Sequence, residues 1–175
     1  MADNSPDGQR LSALFQQHYD FVWRSVRRLG VPSDGVDDAA QEVFVVASRR
    51  LASIEAGKER AFLFGTALRV ASDARRARAR RRLSNDEPDP VDSTPRIDEL
   101  VDQKRARALL DEIVAALPDD VRPIFLLFEL EGMTMAEIAA VLDLPAGTVA
   151  SRLRRARELF ATSVARHERR EVRDE

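Results

Sequence analysis

The stretch Thr134–Phe160, TMAEIAAVLDLPAGTVASRLRRARELF, restricts what this chain can fold into more than any other. Thr134 followed three residues later by Glu137 has the form of a capping box, in which hydroxyl and carboxylate satisfy each other's backbone N–H groups and start a helix. Met135, Ile138, Ala139 and Leu142 give that helix one apolar face. Asp143-Leu144-Pro145 breaks the period, and Pro145 suits a new helix start because its missing N–H is not needed there. In the second helix Val149, Leu153, Ala156 and Phe160 recur at steps of three or four and face inward. Gly147, Ala150, Ser151 and Arg154 fall on the opposite side, flanked by Arg152 and Arg155. Small residues rimmed by guanidinium groups can approach a major groove closely, so the pattern predicts a helix-turn-helix whose second helix does the reading. The alternative is a helical hairpin with a solvated basic face; the agreement of cap, break and face favours DNA.

Composition sets the limits around this motif. The 175 residues are 44% hydrophobic but only 6% aromatic, which points to aliphatic, alanine-rich helical cores. No cysteine is present, excluding disulfides and thiolate metal sites, and the two histidines, His18 and His167, do not suggest a metal cluster. No apolar run approaches membrane-spanning length and the N-terminus lacks a signal-peptide core, so a cytoplasmic protein without membrane insertion is expected. Neither a nucleophile–histidine set nor a Gly-rich phosphate loop is visible, so no catalytic residue, metal or cofactor is assigned and an enzyme is not expected.

A net charge of −2 hides a strong pattern. Seven arginines (69, 75, 76, 78, 80, 81, 82) stand against Asp73 alone between Arg69 and Arg82, whereas Leu83–Gln103 holds seven acids against Arg96. Opposed blocks make local fields that the net charge does not report. The acidic block carries Pro88, Pro90 and Pro95 without an apolar period and reads as an extended linker.

The order along the chain follows. Residues 1–9 are polar and expected to be disordered. Leu11, Leu14, Phe15, Val22, Val26 and Leu29 form one stripe of a long helix that Gly30 ends, with Tyr19 and Trp23 widening it. Ser33 or Asp34 can cap a second helix with Val36, Ala39, Ala40, Val43 and Ala47 inward; Phe44 falls off that face beside Gln41 and Glu42, as a partner-binding anchor would. A third helix runs from about Glu59 with Phe62, Leu63, Ala67, Val70, Ala71 and Ala74 inward and Arg69, Arg76 and Arg80 in a row, either a track for a phosphate backbone or a solvated basic face. Beyond the linker, Leu109, Leu110, Ile113, Val114 and Leu117 make one helix. Asp119 or Asp120 caps the next, with Val121, Ile124, Phe125 and Phe128 inside and Gly132 as its stop. The fold class is therefore all-α, with two small helical domains joined by a flexible acidic linker and a four-helix helix-turn-helix domain at the C-terminal end. The divisions are 1–9, 10–82, the linker 83–104, 105–165, and a charged tail 166–175.

This arrangement resembles the bacterial extracytoplasmic-function sigma factors over roughly Leu11 to Ala165. The resemblance is carried by DDAAQEVF at 37–44 and LPDDVRPIFLLFELEGMTMAEIAAVLDLPAGTVASRLRRARE at 117–158; FLFGTALRVASDARR at 62–76 is a degraded match to the promoter-melting segment. It implies that Asp38, Gln41, Glu42 and Phe44 dock on the β′ clamp helices of RNA polymerase core, with the β flap as a further contact. It implies that Lys58, Phe62, Arg69, Asp73, Arg75, Arg76 and Arg80 serve recognition and melting of the −10 element, where taking a base from the stack costs about a few kcal/mol. Gly147, Thr148, Ser151, Arg152, Arg154 and Arg155 would meet the −35 element. The linker would thread near the RNA exit path, and an anti-sigma protein is a further partner that the resemblance raises. The family usually has Trp where Phe62 stands, Asn where Arg69 stands and Lys where Ala150 stands, so the base preferences at both elements are open. A self-standing helix-turn-helix regulator and a sigma mimic that sequesters an anti-sigma factor are the alternatives.

Overall fold

Ser5 starts the fold earlier than the polar N-terminus suggests. Its side chain accepts from the backbone N–H of Gly8 at 3.1 Å, Pro6 occupies the first helical turn and Asp7 favours the positive end of the helix. The expected disorder of 1–9 is thus wrong for residues 5–9, which open α1 (Pro6–Arg28). Arg10 further ties this end down by donating to the Ile54 carbonyl. The computed structural model describes the backbone of residues 5–84 and 99–174 and the side chains of 5–81 and 105–169. The linker's proposed flexibility therefore lies mostly outside the described residues.

The N-terminal half packs α1, α2 (Val36–Arg49) and α3 (Glu59–Ser84) against one another, with single 3-10 turns at Ser33–Gly35 and Leu51–Ser53. Neither Ser33 nor Asp34 caps α2; the 3-10 turn intervenes and Gly35 precedes the helix without a side-chain cap. Val36, Ala39, Ala40, Val43 and Ala47 are buried as their spacing predicts. Trp23 is only half-buried, because its indole N–H donates to Asp37 Oδ1 at 2.8 Å and keeps one edge at the surface. Gly30 ends α1 with φ 87°, and the amides of Gly30 and Val31 return to the carbonyls of Arg27 and Val26 in a Schellman motif.

The C-terminal half comprises α4 (Glu99–Ala115), α5 (Arg122–Phe125), α6 (Met135–Leu142) and α7 (Ala146–Asp174), four helices among the described residues. Helix α4 takes in residues 99–104, which the sequence had suggested for the linker, and α7 runs through 166–174, which it had suggested for a tail. No proline or glycine interrupts the chain after Gly147, so nothing local stops the helix there. Helix α5 widens into a π-helical turn at Leu126–Leu130, and Gly132 then reverses the chain with φ 67°. Asp119 and Asp120 do not cap α5; both turn to arginines, Asp119 to Arg122 and Arg75, Asp120 to Arg155.

The buried side chains of both halves form one continuous cluster, from Leu14, Val22 and Val26 through Leu63 and Phe64 to Ile124, Leu127, Leu153 and Ala156. Each fully buried aliphatic side chain contributes about 1.5–3 kcal/mol relative to exposure, so the two halves share part of what stabilises them.

Candidate nucleic-acid and protein interfaces

The helix-turn-helix forms as its sequence dictates. Thr134 accepts from the Glu137 amide while the Glu137 carboxylate accepts from the Thr134 amide at 2.8 Å, completing the capping box. The Thr134 hydroxyl also donates to that carboxylate at 2.7 Å, and the two donors, hydroxyl first and amide second, hold the Glu137 carboxyl below the usual range. Asp143 closes α6 in the left-handed conformation (φ 52°, ψ 51°), a geometry that a short polar side chain tolerates. The Pro145 carbonyl then accepts from Thr148 and Val149 to launch α7.

One face of α7 is sealed: Val149, Leu153 and Ala156 are buried and Phe160 stacks on Phe125 with centroids 4.8 Å apart. The other presents Gly147, Ala150, Ser151, Arg154 and Arg155 to solvent, with Thr148 and Arg152 half-exposed beside them. A Cβ added at Gly147 would meet nothing within 4 Å, and the Ser151 hydroxyl donates back to the Thr148 carbonyl at 3.0 Å, so both leave the surface low. The Arg154 side chain is 81% exposed with only a distant partner, Glu158, at 3.9 Å. Arg155 pairs with Asp120 at 3.1 Å, while Arg157 is spent on Glu129 at 2.6 Å and covers the Phe128 ring. Of these three, Arg154 is therefore the guanidinium most available to an external anion.

The residues assigned to the −10 element are less uniform. Arg69 and Arg76 are exposed along α3, with Asp73 3.9 Å from Arg76, and Arg80 is exposed further along. Lys58 is exposed and pairs with Glu55, and Phe62 is half-buried. Arg75 differs from the rest. It donates to the Leu29 carbonyl at the end of α1 and lies 3.2 Å from Asp119 in the C-terminal half.

On α2, Asp38, Gln41 and Glu42 are exposed but Phe44 is not, being 6% exposed. The expected anchor is therefore a core residue, and the reason is α1: Phe15 packs on Phe44 with centroids 4.8 Å apart, and Tyr19 stacks at 6.3 Å. The aromatic left at the surface is Phe15, 42% exposed, with Val45 at 39% next to the same polar residues. Sequence periodicity placed Phe15 in the core stripe and Phe44 outside it; the structure exchanges them.

Among the described residues no group of three or more His, Cys, Asp or Glu is placed to hold a metal ion, and no helix is long and apolar enough to cross a membrane.

Comparison with known proteins adds independent findings. Residues 14–81 match the family described as Sigma-70 region 2, and residues 107–160 match Sigma-70, region 4. The chain is 33% identical over 145 residues to the ECF RNA polymerase sigma-E factor of Escherichia coli (strain K12), covering 77% of this chain and 76% of that protein. It is 29% identical over 158 residues to the ECF RNA polymerase sigma factor SigE of Mycolicibacterium smegmatis, covering 88% of this chain and 61% of that one. Among solved structures, it resembles RpoE in the complex with the anti-sigma factor NepR from Bartonella quintana (TM-score 0.65, 23% identity, 86% of this chain and 96% of that one). It also resembles CnrH in the complex with the cytosolic domain of CnrY (TM-score 0.64, 23% identity, 94% and 92%). Both structural likenesses are of fold.

Proposed function

This chain belongs to the extracytoplasmic-function RNA polymerase sigma factors, proteins that direct transcription initiation, and from that premise we propose how its own surfaces divide the work. The exposed face of α7 reads the −35 element, with Ser151, Arg152, Arg154 and Arg155 as contacts and Gly147 and Thr148 allowing the close approach. The observation that carries this assignment is the clean division of α7 into a sealed apolar face and a low, arginine-rimmed one. The exposed arginines of α3, Arg69, Arg76 and Arg80, meet the −10 region, with Lys58, Phe62 and Asp73 at its borders. Ala150 and Arg69 stand where the family usually has Lys and Asn, so the base preference at each element is set by other contacts than the family's usual ones.

The polymerase-docking surface is the exposed edge of α2 (Asp38, Gln41, Glu42) together with Phe15 and Val45, with Phe44 as the buried support beneath Phe15. An aromatic ring amid polar neighbours is the common form of a binding hot spot. The protein acts stoichiometrically with core polymerase in the cytoplasm rather than as a catalyst. An anti-sigma protein is a further partner, a proposal supported by the complexes in which the two structural relatives were solved.

Footprinting of the reconstituted holoenzyme tests the division. Arg154→Ala is expected to lose protection at the upstream element while keeping that at the downstream one; loss of both or neither would contradict it. Phe15→Ala is expected to weaken binding to core polymerase roughly tenfold or more with little change in stability. Phe44→Ala instead lowers stability by about 3–5 kcal/mol by leaving a cavity. Core affinity unchanged by Phe15→Ala would remove Phe15 from the docking surface.

A further inference from the structure

Three arginines on the outer side of α7 differ in what holds them. Arg154 is 81% exposed, and Glu158, one turn along the same helix, lies 3.9 Å away with 70% of its own side chain exposed. A pair of that kind does not fix a long side chain in one geometry. Arg157 is committed to the fold: its Nε donates to Glu129 Oε1 at 2.6 Å, and its guanidinium covers the Phe128 ring at 5.1 Å. Arg155 falls between the two. Its Nη1 donates to Asp120 Oδ2 at 3.1 Å, and the two side chains are 57% and 41% exposed.

Asp120 is not part of the helix-turn-helix. It stands in the turn between α4 and α5, 35 positions before Arg155, and that turn is tied down. The Pro118 carbonyl accepts from the amides of both Val121 and Arg122, and Leu117 and Val121 on either side are buried. At the other end of the bond, the buried Leu153 and Ala156 fix the backbone of α7 around Arg155. Both partners thus project from anchored backbone, and one hydrogen bond is enough to favour one direction of the guanidinium. The bond is single-ended. It uses Nη1, and among the described residues Nε and Nη2 donate to no acceptor. Those two donors form one edge of the planar fork, the arrangement that meets two acceptors at once. In a major groove the base edge that offers two acceptors side by side is guanine's O6 and N7.

We infer that Asp120 is a positioning residue for promoter reading: it holds Arg155 with the Nε/Nη2 edge presented to a guanine, while Arg154, which has no such brace, meets the phosphate backbone and adds affinity without choice of base. This rests on the assignment of the exposed α7 face to the −35 element. Opposite effects on selectivity and on affinity follow from the charge of Asp120. Removing the carboxylate lets Arg155 rotate, which lowers selectivity. It also removes a negative charge beside DNA phosphates, which favours binding to any sequence. A residue that served only to fold the domain would lower both.

The test uses holoenzyme reconstituted from core polymerase and the full chain, bound to a promoter fragment whose upstream element is randomised, with the bound sequences counted. Wild type enriches guanine at one position about tenfold over the other bases, as one two-donor contact does. Arg155→Ala abolishes that enrichment and leaves the other positions as they were. Asp120→Asn and Asp120→Ala each cut it to about threefold or less, while affinity for a duplex without the element stays equal or rises. In the Arg155→Ala background, Asp120→Asn has no further effect on selectivity. Glu129→Gln, which releases Arg157 instead, leaves selectivity unchanged. Urea midpoints of the Asp120 variants stay near wild type, as expected of a half-exposed pair. Full enrichment in both Asp120 variants overturns the role of Asp120. So does stronger enrichment, which would make Asp120 a competitor for Arg155, and so does an equal loss of affinity for every sequence. Guanine enrichment that survives Arg155→Ala overturns the base contact. Enrichment at no upstream position even in wild type is a distinct result, and fails the assignment of α7 to the −35 element itself.

Discussion

Helices α3 and α7 are both rich in arginine, yet they use it differently. On α7 the apolar residues keep to one side, Val149, Leu153 and Ala156 go into the core, and Arg154 is left facing water. On α3, Leu63, Phe64, Ala67 and Ala71 are buried while Phe62, Val70 and Ala74 are half-buried, because α1 and α2 enclose the helix from two sides. Arg75 is then turned inward to a helix-end carbonyl and to Asp119. An arginine block marks a DNA surface only where its guanidinium groups face solvent, and that depends on what packs around the helix rather than on the block itself.

The largest expected effect comes from removing the guanidinium with the most internal acceptors. Arg122→Met should lower stability by about 4 kcal/mol, because the Val114, Leu117 and Leu29 carbonyls each lose a buried donor. A urea midpoint close to the wild type would show that Arg122 is dispensable to the packing of α5 against the end of α1. On α7 two adjacent residues should separate stability from function. Leu153→Ala is expected to cost about 2–5 kcal/mol through the cavity it leaves, whereas Arg154→Ala should change stability by less than about 0.5 kcal/mol. In the holoenzyme Arg154→Ala should weaken promoter binding about tenfold, as loss of one base or phosphate contact does. If both substitutions acted on stability alone, the division of α7 into two faces would fail.

The smallest effect is expected at Glu131. Burial raises its carboxyl, and the nearby Arg60, Arg28 and Arg24 pull it back without cancelling the rise. A carboxyl whose value is raised in the folded state favours folding below that value, and the advantage is lost as pH rises through it. Glu131→Gln at neutral pH should therefore shift stability by less than about 1 kcal/mol, and should flatten the pH dependence on the acid side of neutrality. A large loss in the thermal melt would mean that the Arg60 pair outweighs the burial.

What was legible in the sequence follows the reach of each signal. The capping box at Thr134, the break at Asp143 and the sealed face of α7 could be read from consecutive residues, because each is a bargain between a side chain and backbone a few positions away. The all-α class was readable for the same reason. Phe15 and Phe44 exchanged places because a broad apolar stripe on a 23-residue helix leaves its edge undetermined until α2 is laid against it. Ser5-Pro6-Asp7 resembles loop composition although each residue suits a helix start. The polar contacts between the two halves could not be read at all: Arg28 and Asp111 are 83 positions apart, Arg122 and Leu29 are 93, and no local pattern announces such partners.

The most direct measurement adds the purified chain to core RNA polymerase on genomic DNA fragments and maps the 5′ ends of the transcripts. The account predicts discrete start sites that require the chain, share sequence at two upstream positions, and fade with Arg154→Ala while core binding persists. Transcripts whose 5′ ends are the same with and without the chain would contradict it.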